Sequence, residues 1–92
     1  MPIDRRNLEQ ILLGLGFSLE DRSHRFLVLL VDGRTVAKTM TSRGTSHSTI
    51  NESMLSKIVQ EMHITRAFLY QLVRGKKKRE DYLDELRRQG LL

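Results

Sequence analysis

The stretch FLVLLVDGRTVAKTM, residues 26–40, decides how this chain folds. It begins with a continuous apolar run from Phe26 to Val31, which is rich in β-branched and aromatic side chains and typical of a central strand. Asp32-Gly33 follows, and this dipeptide favours a two-residue type I′ hairpin turn. Thr35 to Met40 is then predicted as the returning strand. Alternation along that strand predicts two faces, one with Val36, Lys38 and Met40 and the other with Thr35, Ala37 and Thr39.

A helix and a short strand are predicted before the hairpin. Asp4 is a good N-cap for the helix, because its carboxylate can accept hydrogen bonds from the free amides of the first turn. The apolar side chains at helical spacing are Leu8, Ile11, Leu12 and Leu15. After the helix, Phe17 to Leu19 is a candidate strand, and Asp21 to Ser23 are predicted to form a turn.

The second half of the chain predicts a polar loop and three helices. Residues 41–49 carry no apolar side chain, so we expect them at the surface. Thr49 and Glu52 have the spacing of a capping box, which predicts the start of a helix there. Thr65 is positioned to cap the next helix, which Gly75 ends, and a last amphipathic helix is expected from Glu80 to Gln89.

The order of these elements is α-β-β-β-α-α-α, and it predicts an α+β fold. Consecutive strands joined by short turns favour an antiparallel three-stranded sheet, and the helices can cover its apolar face. We expect a single domain over residues 1–92, with an α-β-β-β-α core at 1–62 and a helical extension at 63–92.

Composition and charge narrow the classes of function. The 92 residues include no cysteine, which excludes disulfides and cysteine-based metal sites. No stretch approaches the roughly 20 apolar residues of a membrane span. The N-terminus lacks the pattern of a signal peptide, so we expect a cytoplasmic protein with no membrane partner. The formal charge of +5 and the pI of about 10.1 favour a polyanionic partner, because basic side chains attract phosphates and release their counterions.

Three short motifs lie at the boundaries of the predicted elements. They are Gly16-Phe17 after the first helix, Ser23-His24 before the apolar strand, and Asp32-Gly33-Arg34 at the hairpin. Together they resemble the HicA family of small toxins. The resemblance implies a fold like that of a double-stranded-RNA-binding domain, ribosome-independent cleavage of mRNA, and neutralisation by a HicB-like antitoxin. The family has a Gly-Ser-His motif at the start of the second strand. This chain has Arg22-Ser23-His24 there, so arginine replaces the glycine.

A second family feature concerns the polar loop. Thr39, Ser42 and Gly44 match the T-x-x-S-x-G loop of a HicA-like group whose members carry an extended helical tail. The hydroxyl groups, glycine and Arg43 of this loop, together with His47, have chemistry that can hold a phosphate. A solvated loop without such a role is an equally good interpretation of the same residues.

His24 is the residue to which the resemblance assigns catalysis. Cleavage of RNA without a metal needs a group that transfers a proton and cations that stabilise phosphate charge. A histidine suits the first task because it titrates near neutral pH. The predicted phosphate-holding residues are Arg22, Arg25, Lys38 and Arg43 near the histidine, and Arg74, Lys76, Lys77, Lys78 and Arg79 in the densest basic run. No cofactor is predicted, and no metal, because His24, His47 and His63 lack the short spacing of zinc ligands.

Two other classes of function stay open. The protein could be a module that binds RNA or DNA without cleaving it. Residues 54–75 resemble a helix-turn-helix, whose second helix would present Arg66, Ala67 and Tyr70 to DNA. The protein could instead be an interaction module whose basic face meets an acidic partner. Phe26 and Phe68 are expected in the core, so the sequence does not predict a base-stacking platform.

Overall fold

The computed structural model describes residues 3–22, 24–41 and 49–92. In these ranges the chain forms α1 (Arg5–Gly14), β1 (Ser18–Asp21), β2 (Arg25–Val31), β3 (Arg34–Thr41), α2 (Glu52–Met62), α3 (Arg66–Val73) and α4 (Arg79–Arg88). The strands form an antiparallel sheet in the order β1-β2-β3. The predicted α+β class and the order of the elements are therefore confirmed.

The β2–β3 hairpin turns as its dipeptide predicts. Val31 pairs with Arg34, which leaves Asp32 and Gly33 as the two turn residues. Their φ angles are 52° and 79°, and a type I′ turn requires positive φ at both positions. Local chemistry at this dipeptide is therefore enough to set the hairpin.

A β-bulge interrupts the alternation predicted for β3. Leu29 pairs with Ala37, but the next residue, Leu30, pairs with Thr35, so Val36 is the extra residue. Val36 packs against the hydrophobic core, and Thr35 shares the face of Leu30. The predicted assignment of Val36 and Thr35 to faces is therefore wrong, because the bulge shifts the alternation by one residue at this end of the strand.

The first strand also lies further along the chain than predicted. β1 runs from Ser18 to Asp21, whereas the sequence favoured residues 17–19 followed by a turn at Asp21. Phe17 is 3% exposed and belongs to the core instead of the strand. Asp21 pairs across the sheet with Arg25, and their side chains form an ion pair of 3.3 Å, which extends the strand by one polar residue pair.

The helices α1, α2 and α3 begin at capping side chains. Asp4 accepts a hydrogen bond from the Asn7 amide, as predicted for α1. For α2 the cap is Asn51, which accepts from the Met54 amide at 2.8 Å, and Thr49 instead forms an isolated β-bridge with Asp4. The expected cap at Thr49 is wrong by two residues, because the chain is still extended there.

One hydrophobic cluster spans the sheet and the helices. Its fully buried members include Leu8, Leu12, Leu27, Leu29, Ile58, Met62, Leu69, Tyr82 and Leu86. The Tyr82 ring stacks on Phe17 at 6.0 Å between centroids, and its hydroxyl donates to the Met62 carbonyl at 3.0 Å. α4 thereby satisfies a carbonyl at the C-terminus of α2 and contributes directly to the core beneath the sheet.

None of the described helices has the length and apolar character needed to cross a membrane.

Candidate nucleic-acid interface

The sheet has a face that is turned away from the core. Leu27, Leu29 and Ala37 belong to the core cluster, so their neighbours along the strands point to the opposite side. We call that side the open face; it consists of Ser18, Glu20, Phe26, Val28, Leu30, Thr35, Lys38 and Met40. Of these eight residues, all within the described strands, Val28 alone is buried, and Leu30 is 54% exposed.

Phe26, His24 and Lys38 come together at one end of the open face. The Lys38 ammonium lies 4.6 Å from the centroid of the Phe26 ring, at a distance typical of a cation–π contact. The His24 ring meets Phe26 edge-on, with 6.3 Å between centroids and 85° between planes. His24 is exposed, and so is Lys38. An imidazole and an ammonium group thus both contact one aromatic ring at this end of the face.

The position of Phe26 corrects the sequence prediction. Both Phe26 and Phe68 were expected in the core, yet both rings are half-buried. The faces of a strand can be told apart in a sequence only when apolar and polar residues alternate. Residues 26–31 are all apolar, so the sequence does not show which of their side chains point outward.

Glu20 joins this group and was not identified from the sequence. It lies directly opposite Phe26 in the pairing of β1 with β2. Its carboxylate contacts the Arg22 guanidinium at 3.1 Å, and the Arg22 amide donates to the His24 carbonyl at 2.9 Å. The open face therefore also carries a carboxylate, opposite the aromatic ring that His24 contacts. The signal for it is the strand register, which the sequence alone did not fix.

Arg25, a predicted phosphate ligand, is engaged inside the protein. Its Nε and Nη2 atoms donate to the two carboxylate oxygens of Glu9 at 3.0 and 3.1 Å. Thr41 Oγ1 also donates to Glu9, at 2.7 Å, and Arg5 Nη1 does so at 3.2 Å. This Glu9 cluster ties α1 to β2 and to the end of β3. Arg25 thus acts as a structural cation in this arrangement.

The surroundings of Glu9 keep it charged. Burial on its own would raise the pKa of the Glu9 carboxyl, but hydrogen bonds from Arg25 and Thr41 and the charges of Arg25 and Arg5 outweigh it. The pKa of Glu9 is therefore lower than its ordinary value. The same hydrogen bond raises the pKa of Arg25. The cluster remains an ionised network at neutral pH.

The basic run between α3 and α4 divides into two groups. Lys77 lies over the Phe68 ring at 4.9 Å, and Arg79 Nε donates to the Leu15 carbonyl at 3.2 Å. The Arg79 guanidinium packs against Gly16, where an added Cβ would lie 3.2 Å from Nε. Arg74, Lys76 and Lys78 are exposed. Two of the five predicted phosphate ligands thus make contacts within the protein, and three face solvent.

Some candidate residues lie outside the described part of the chain. These are Ser23, Arg43 and His47, together with Ser42 and Gly44 of the loop motif. Among the residues that are described, no group of three or more histidine, aspartate or glutamate side chains is arranged to hold a metal ion.

Arg66, which the helix-turn-helix prediction assigns to DNA, makes contacts within the protein. Arg66, at the start of α3, donates to the Glu52 carbonyl oxygen at 2.9 Å and also bonds the side chains of Glu52 and Ser56. Its guanidinium therefore folds back onto α2. Ala67 is exposed and Tyr70 is half-buried. A DNA-reading role would require Arg66 to leave these contacts.

The open face thus combines an aromatic ring, an exposed imidazole and an exposed cation. These are the parts from which a site for a phosphate-linked, base-bearing ligand can be built. No protein-family model matches this sequence, and no curated protein or solved structure matches it either.

Proposed function

We propose that this protein binds RNA on the open face of its sheet and cleaves the RNA backbone, with His24 as the proton-transfer group. The observation that carries the proposal is that the His24 imidazole and the Lys38 ammonium both contact the half-buried Phe26 ring. The net charge of +5 favours such a polyanionic ligand.

The chemistry uses the RNA's own nucleophile. The 2′-hydroxyl attacks the adjacent phosphorus, the bond from phosphorus to the 5′-oxygen breaks, and the products are a 2′,3′-cyclic phosphate and a free 5′-hydroxyl. One group must take the proton of the 2′-hydroxyl and another must give a proton to the leaving oxygen. A carboxylate can take a proton but has none to give, so Glu20, on the same face, takes the proton of the 2′-hydroxyl and the His24 imidazolium gives one to the leaving oxygen. Lys38 is placed to stabilise the charge that develops on the phosphate.

The resemblance to HicA proteins supports this proposal and adds a partner. His24 is the residue that matches the histidine of the family motif. On this interpretation the substrate is mRNA, the site of action is the cytoplasm, and a HicB-like antitoxin neutralises the protein. Binding of DNA through α3 receives less support, because the Arg66 side chain is held by α2.

The test compares His24→Ala with the wild-type protein on labelled RNA in the presence of a chelator. We expect the variant to cleave at least about a hundredfold more slowly, the loss that removal of a general acid or base produces, and to bind RNA as before. An oligonucleotide with a 2′-deoxy sugar at the cleaved position should resist the wild-type protein.

His63→Ala is the matched control, since His63 lies in the α2–α3 turn, away from the open face. It should cleave like the wild-type protein. Equal cleavage by His24→Ala and wild-type protein, or cleavage of the 2′-deoxy substrate, would remove this mechanism.

A further inference from the structure

Phe26 is an aromatic side chain on an exposed sheet surface. Its neighbours on the same face are Val28, which is buried, and Leu30, which is 54% exposed, while Met40 lies opposite it on β3. Exposed apolar groups that lie side by side mark binding surfaces more often than isolated ones do. The surface around Phe26 is formed by side chains of neighbouring strands of one sheet.

The polar groups around the Phe26 ring indicate the chemistry of the occupant. The ring is approached by Lys38 over its face and by His24 at its edge. A lysine side chain is flexible, so its ammonium can turn to a phosphate and uncover the ring face for a planar group. A ligand that brings a flat ring and a phosphate within a few ångströms of each other satisfies both partners, and a nucleotide is such a ligand.

Duplex RNA does not present its bases in this way. In an A-form helix the base faces are stacked on one another, and the major groove is too deep and narrow for side chains to read. Phe26 cannot reach a base face that is covered by its stacked neighbours, but it can contact a base that is splayed out of a single strand.

Resting on the proposed function, we infer that the open face selects single-stranded RNA and stacks an unpaired base on Phe26. The Lys38 ammonium then holds the adjacent phosphate, next to the His24 imidazole. This substrate class differs from the duplex that a fold like a double-stranded-RNA-binding domain would imply.

The experiment uses 2′-fluoro RNA, which cannot be cleaved through a 2′-hydroxyl, with one adenine replaced by 2-aminopurine. Stacking on an aromatic ring quenches the fluorescence of this base. We expect the wild-type protein to quench it and to bind the single strand at least about tenfold more tightly than the duplex of the same sequence. Phe26→Leu should lower the affinity for the single strand about tenfold, at the low end of the effect of one base–aromatic stack, and should abolish the quenching.

Two variants keep the result interpretable. Phe26→Tyr retains an aromatic ring and should bind and quench like the wild-type protein, which separates stacking from an effect on folding. Phe68→Leu is the matched control. Phe68 lies on α3, is also half-buried, and is also contacted by a lysine, Lys77. It should bind and quench as the wild-type protein does.

The outcomes separate this inference from the proposed function. Equal affinity for duplex and single strand, or normal quenching by Phe26→Leu, overturns the inference and leaves RNA binding on the open face intact. An equal loss of affinity and quenching in Phe68→Leu would mean that the base does not stack specifically on Phe26, and this result would also overturn the inference. Failure of the wild-type protein to bind either RNA would remove the proposed function itself.

Discussion

At the residue scale, the carboxylate of Glu9 has the largest structural role among the described charged groups. It accepts hydrogen bonds from side chains of α1, β2 and β3 and is itself buried. We expect Glu9→Gln to lower the free energy of unfolding by about 3 kcal/mol at neutral pH, because it removes the buried negative charge that interacts with both Arg5 and Arg25. Urea denaturation measures this loss. Glu80→Gln, at an exposed position in the first turn of α4, is the control and should change stability little.

The same residue predicts how stability depends on pH. The pKa of Glu9 is lower in the folded chain than its ordinary value of 4.5, so the unfolded state takes up this proton first as the pH falls. The stabilisation is therefore complete above about pH 5 and is lost as the pH drops through 4.5 and then through the folded pKa. The wild-type protein should lose more stability than Glu9→Gln over this acidic range. Parallel stability curves for the two proteins would contradict the assignment.

Single residues also show where sequence reasoning stops. Asp4 was predicted as a cap because capping depends on neighbours within one helical turn. Arg25 was predicted to hold phosphate, but its partner Glu9 lies 16 positions away on another element. No local spacing connects the two. An arginine that is free for a ligand and an arginine in an internal ion pair look alike until the fold brings their neighbours together.

At the scale of elements, the turn between α2 and α3 contains a strained residue. His63 ends α2 with φ of 65°, in the left-handed region where a Cβ is unfavourable. We expect His63→Gly to raise the free energy of unfolding by about 0.5–1 kcal/mol, since glycine adopts this conformation without that cost. His63→Ala keeps the Cβ and should give no gain. If thermal or urea unfolding shows equal stability for the two variants, backbone strain at this position is not the cause.

The elements differ in how far the sequence could define them. The hairpin was predicted because Asp32-Gly33 determines its own turn. The bulge at Val36 was not, since it depends on how two strands align, and the same applies to the extension of β1 to Asp21. The open face was missed for a related reason. Its residues come from all three strands, and the apolar run of β2 gives no sign of which side chains face outward.

At the scale of the whole molecule, the positions of the basic side chains say more about where RNA can bind than the net charge does. Arg5 and Arg25 are held by Glu9, Arg66 by α2, and Arg87 and Arg88 by Asp84 and Glu85 of α4. Hydrogen bonds from Arg88 and Gln89 lower the pKa of Glu85 to about 2, so it stays ionised beside them. The exposed cations Arg74, Lys76 and Lys78 belong to the segment that joins α3 to α4, whereas Lys38 belongs to β3 and the open face.

This separation predicts that the α3–α4 cluster attracts RNA at a distance, whereas the open face holds it. Replacing Lys76 and Lys78 by glutamine should slow association with single-stranded RNA several-fold at low salt, and the effect should disappear near 1 M salt, where charges are screened within about 3 Å. Stopped-flow fluorescence measures the rate. The control is Arg6→Gln with Arg34→Gln, two exposed positions elsewhere, which removes the same charge from the protein. If both double variants slow association equally, net charge alone drives the attraction and the cluster has no role of its own.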